Sequence, residues 1–188
     1  MKGHGKRRQW AGAAARSLAV AGVLAVSAAT IVSAGGTTAW ATAPRPAGRS
    51  PSTIARMVCQ RKAAGEIAQV LGTKAVVSPP TWTDHQYSCG YEYPEGTMVL
   101  SVKELSSWDQ TYSYFDRLAT TLHKTMPIAG LGQGAFRVRD GSIVVRKDWK
   151  VLLVNTSGIH GKVGSPPSTQ SEVALDAAAV ILGCWNGD

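Results

Sequence analysis

Three histidines, His85, His123 and His160, lie beyond position 41 and are the side chains best placed for proton transfer near neutral pH. None is spaced His-x-x-x-His or His-Glu-x-x-His, so there is no local zinc or metallohydrolase set. Asp84 beside His85 offers two members of a catalytic triad. Adjacent residues rarely point at each other, however, no Gly-x-Ser-x-Gly elbow supplies a nucleophile, and Ser157 and Ser165 stand in polar stretches. Gly130-Leu131-Gly132-Gln133-Gly134 has the glycine content of a phosphate loop. It lacks the required Lys and Ser or Thr and runs into a strand pattern instead of a helix, so it reads as a turn. The expectation is a chain with no catalytic residues, no metal site and no cofactor.

Binding chemistry has more support. Arg137, Arg139, Arg146, Lys147 and Lys150, interleaved with Trp149, form the most suggestive set in the chain. Lined up across hairpins, they would meet an anionic cell-wall polymer or the phosphates of a membrane surface, with Trp149 as an amphipathic anchor. The plainer reading, a solvated sheet face kept soluble by charge, is the one favoured from the sequence, because scattered surface arginines are common. Cysteine chemistry rests on Cys59, Cys89 and Cys184. Joining Cys59 to Cys89 ties a helix start to a strand and closes a loop of about thirty residues, worth on the order of 3 kcal/mol. Cys184 is then free, and spacing alone leaves its pairing with either of the others open.

These side chains need elements to position them. A helix is expected over Ala63 to Leu71, with Ile67, Val70 and Leu71 as its apolar stripe and Gly72 as its stop. Lys74 to Val77 reads as a short strand. Gln86 to Tyr93 and Thr97 to Leu105 read as antiparallel neighbours around Pro94-Glu95-Gly96, with Met98, Leu100 and Val102 on the buried face. Ser107 opens a helix in which Trp108, Tyr112, Phe115, Leu118, Ala119 and Leu122 recur at steps of three and four. A two-residue turn at Asp140-Gly141 sets Val138 against Ile143 and Phe136 against Val145 on one face, with Arg137, Arg139 and Arg146 on the other. A second turn at Asp148-Trp149 sets Val145 against Leu152 and Ile143 against Val154. Ser157 to Gln170 reads as a loop and Ser171 to Leu182 as the last helix. The fold class expected is α+β: an antiparallel sheet of about six strands with three helices mainly on one side, in the order α-βββ-α-βββ-α after an N-terminal signal helix.

The N-terminus determines the expected address. Lys2, Lys6, Arg7, Arg8 and Arg16 precede a stretch without charge from Ser17 to Trp40, and Ala39-Trp40-Ala41 places small residues where a signal peptidase cuts. Residues 1–41 therefore read as a signal peptide, with an uncleaved membrane anchor as the alternative. Residues 42–52 read as a flexible linker and 53–188 as a single domain. Arg7-Arg8-Gln9-Trp10 matches part of the twin-arginine export signal, so the route is either that or general secretion. Of the 20 Lys and Arg, five lie in the leader while all 12 acids lie beyond it, which leaves 15 against 12, or +3, for the domain. The precursor's pI near 9.7 thus reflects targeting and not nucleic-acid binding. No cysteine occurs between the leader and Cys59, so no lipid attachment is expected.

With these segments placed, the chain resembles actinobacterial cell-envelope proteins and lipoproteins of unknown function. The resemblance runs through Val58-Cys59, Glu66-Ile67-Ala68-Gln69-Val70-Leu71-Gly72, Tyr87-Ser88-Cys89-Gly90-Tyr91 and Ile128-Ala129-Gly130-Leu131-Gly132-Gln133-Gly134-Ala135. It implies a secreted α+β domain with a disulfide joining the first two cysteines, and it supplies no catalytic residues. The function expected is a secreted or envelope-associated, non-enzymatic module that binds an envelope ligand or protein. A hydrolase of an envelope polymer and a structural wall component are the alternatives.

Overall fold

The computed structural model describes residues 48–185. By contacts the chain divides into Met1–Ala41 and Thr42–Asp188, and the described residues belong to the second unit. The leader, with its signal-peptide and anchor readings, lies outside them. Among the described residues no helix is long and apolar enough to cross a membrane.

The class is α+β. Helices α1 (Thr53–Met57) and α2 (Arg61–Leu71) precede strands β1 (Val76–Val77), β2 (Thr81–Thr83), β3 (Gln86–Tyr93) and β4 (Gly96–Glu104). Helix α3 (Trp108–Thr121) leads to β5 (Lys124–Ile128), β6 (Gly134–Val138), β7 (Ile143–Lys147) and β8 (Lys150–Ile159), and α4 (Gln170–Cys184) ends the domain. The eight strands form one antiparallel sheet in the order β1-β3-β4-β8-β7-β6-β5, with β2 also paired to β3. The additions to the expected set are α1, β2 and β5, all short. The expected linker is held at its end: Ser52 caps α1 through its hydroxyl, and the Arg49 carbonyl accepts the Trp82 indole N–H at 3.1 Å.

The sheet has two unequal faces. On one, Met98, Leu100, Val102, Ile143, Val145, Leu152 and Val154 meet Ile67 and Leu71 of α2 and Val173, Ala177 and Ile181 of α4, all buried. The small residues of α4 let that helix lie close on β7 and β8. The Cys59–Cys89 disulfide closes this core across 30 residues, with Cα atoms 5.9 Å apart. Beside it the Tyr91 hydroxyl donates to the Val58 carbonyl at 2.6 Å, and burial raises the Tyr91 pKa. The other face is covered by α3 alone, whose Phe115, Leu118 and Ala119, with Leu122 at its C-terminal cap, pack on Phe136, Val138, Val144 and Val151. Helices therefore stand on both sides of the sheet, with α3 by itself on the second.

The β6–β7 hairpin departs from its expected register. The backbone N–H of Val138 donates to the Ser142 carbonyl and Gly141 sits at φ +88°, so the loop holds three residues and not two. Pairing shifts by one: Phe136 faces Val144, and Arg137 faces Ile143. Because side chains alternate across a strand, this slip carries Phe136 and Val138 to the α3 face and Arg137 to the α4 face. The Asp148-Trp149 turn keeps the expected register, with Val145 opposite Leu152 and Ile143 opposite Val154.

Candidate functional site

The fold distributes the basic set between the two ends of β7. At the β7–β8 turn, Arg146 is only 8% exposed. Its guanidinium stacks 4.2 Å from the centre of the Tyr112 ring and lies 5.9 Å and 5.8 Å from those of Trp108 and Phe115. Its Nη2 donates to the Gln133 carbonyl at 2.7 Å, while its Nε is buried without a hydrogen-bond partner. Among the described residues no carboxylate pairs with this cation, and the stacking explains how it is held: three rings surround the guanidinium. Trp108 and Tyr112, expected on the core side of α3, are instead 41% and 49% exposed and cap this guanidinium. Gln133 secures the turn from the other side, accepting the Asp148 N–H at 2.8 Å.

Lys147 turns inward, donating to the Trp185 carbonyl and lying over the Trp185 ring. Trp149 is half-buried, and its carbonyl accepts the Leu105 N–H at 2.9 Å. Lys150 stands opposite Lys147 across the turn and opposite Glu104 across β4.

At the other end of β7 the arginines meet a helix. Arg137 and Arg139 line a cleft of about 330 Å³ together with Thr125, Gly141, Thr169 and Ser171. Arg139 is exposed. Arg137 is half-buried, with Nη1 4.0 Å from the Met126 sulfur and Nε buried and unpartnered. The cleft's third wall is the start of α4, where Thr169 and Glu172 form a reciprocal capping box. Glu172 accepts from the Thr169 N–H and hydroxyl, and those bonds hold its carboxyl below the usual carboxylate range. The Thr-x-x-Glu spacing was present in the sequence as a helix-start signal. That it would face Arg137 follows only from the slipped hairpin.

The remaining candidates take structural positions. Asp84 and His85, at φ +49° and +57°, form the β2–β3 turn, and His85 packs edge-on against Trp82. His123, at φ +56°, follows α3. Gly132 and Gly134 belong to the β5–β6 connection and to β6, beside Arg146. Among the described residues no group of three or more His, Cys, Asp or Glu could hold a metal ion. Cys184 is a free thiol that donates to Glu66 at 2.8 Å, and that bond pushes its pKa up. The chain matches no family model, no curated protein and no solved structure.

Proposed function

We propose that this chain is an exported, non-enzymatic binding module of the cell envelope. The observation that carries the reading is the Cys59–Cys89 disulfide, built into the base of the main core beside Val58 and Tyr91. Cytosolic thiols are kept reduced, so a small domain whose core closes on a disulfide supports an oxidising, exterior address. A charged leader followed by an uncharged stretch and Ala39-Trp40-Ala41 fits the same address. Binding in preference to catalysis is supported by the turn role of Asp84 and His85 and by the arginine-lined cleft at the start of α4. The partner it suits is an anionic envelope polymer, not nucleic acid.

Cell fractionation with mass spectrometry of the mature N-terminus tests this. The expected result is a polypeptide beginning after Ala41, found outside the cytoplasm and released from envelope material by salt. An intact precursor dissolved in the cytoplasm would overturn the reading.

A further inference from the structure

The geometry points to the cleft between the β6–β7 loop and the start of α4 as a binding site for a tetrahedral oxyanion, the phosphate group of an anionic polymer. This rests on the binding-module reading and adds the ligand class.

Donors converge on the cleft from three elements. Arg139 projects from the loop, exposed and, among the described residues, without an ion pair. Arg137 reaches in from β6, its Nε buried without a partner and its Nη1 near only a thioether, which is a weak acceptor. Helix α4 supplies the third. Thr169 takes the Glu172 and Val173 N–H groups through its side chain and carbonyl, which leaves those of Gln170 and Ser171 as the orphan donors of the first turn. Gly141 packs closely on the helix start: a Cβ there would come within 3.1 Å of the Ser171 nitrogen, so a bare glycine is what lets the arginine-bearing loop approach the first turn of α4.

Two carboxylates adjoin the cleft and both are engaged. Asp140 accepts the Ser142 N–H at 2.9 Å, and Glu172 accepts from Thr169. Lys162 lies near enough to act on Glu172. Two arginines therefore line the cleft beside two engaged carboxylates, and the helix N-terminus adds a partial positive charge of about half a unit. Donors arriving from a loop, a strand and a helix suit a tetrahedral group better than a planar carboxylate, which a single guanidinium fork would satisfy. A concave cleft flanked by one exposed apolar side chain, Met126, fits a group projecting from a polymer better than a bilayer surface.

The test is a titration of the ¹⁵N-labelled chain with inorganic phosphate, soluble polyphosphate and vesicles of anionic phospholipid, read at the Gly141 and Ser171 amides. Phosphate and polyphosphate are expected to give saturable shifts there that weaken as salt rises. Binding should fall at least tenfold in R137Q/R139Q and measurably in R139Q, which alters only an exposed side chain. K74Q, in the segment after α2 and lining a separate cleft beside that helix, should bind like the parent. No saturable shift at Gly141 and Ser171, undiminished binding in R139Q, or equal shifts with chloride would overturn the inference. Vesicle binding as tight as polyphosphate binding would overturn the polymer assignment. If the chain is exported but ignores phosphate, this inference alone fails; a reduced cytosolic chain that still binds phosphate defeats the exported reading instead.

Discussion

Strand β7 spans five residues between two turns, and its two ends handle positive charge in opposite ways. At the Lys147 end, Arg146 is buried under Tyr112 and Trp108 and Lys147 is tied to Trp185, so both cations serve the domain's own packing. At the Ser142 end, Arg137 and Arg139 border an open cleft, with donors that no acceptor among the described residues uses well. In the sequence these residues look alike. They are separated by one additional loop residue, which places Arg137 and Arg146 on opposite faces of the sheet. A basic run is therefore no guide to a binding surface until the register of its hairpin is known.

The comparison can be broken most forcefully at Arg146. R146A removes a buried stem and the support of three rings, and equilibrium denaturation should show a loss of about 2–3 kcal/mol. R146M keeps the stem but removes a buried charge that lacks a counter-ion, so its stability should lie within about 1 kcal/mol of the parent or exceed it. If R146M fell as far as R146A, the charge itself would be what holds α3. At the other end, T169A removes the cap of α4 and should lower stability by about 1 kcal/mol.

That effect carries a pH signature. The Glu172 pKa is lowered in the folded state by the bonds it accepts from the Thr169 backbone N–H and hydroxyl. Its contribution is present above the unfolded carboxylate range and lost as pH falls through the folded value. The gap between parent and T169A should accordingly narrow below about pH 4, as thermal melts across pH 3–7 would show. R139A should change stability by no more than about 0.5 kcal/mol, because the side chain is exposed and unpaired. A loss comparable to R146A would erase the distinction between the ends. The smallest effect expected is at Cys184, where E66Q should speed alkylation at pH 8 by replacing the carboxylate, whose hydrogen bond and charge raise the thiol pKa, with a neutral and weaker acceptor.

Long periodic segments were legible without coordinates. The alternation of Met98, Leu100 and Val102 gave β4 its buried face, and the Asp148-Trp149 turn fixed the β7–β8 register. Short elements were not. Helix α1 and strand β2 have five and three residues, too few to show a period. The edge strand β5 is mostly exposed and contains Pro127, which suits an edge but hides a strand from propensity. Asp140-Gly141 misled because the same pair serves a two-residue turn or, with glycine last, a three-residue loop. Of the candidate cleft, the two arginines were singled out from the sequence, while the Thr169–Glu172 cap was missed because the last helix was expected to start at Ser171. Their meeting was not legible, since it depends on α4 returning across the sheet to the tip of a hairpin some thirty residues earlier.

The account as a whole stands on a core closed by sulfur in an oxidising compartment. Differential alkylation of the chain taken from intact cells, before and after reduction, tests this directly. Before reduction only Cys184 should be labelled, with Cys59 and Cys89 recovered in one linked peptide pair. Labelling of all three thiols without reductant would contradict it.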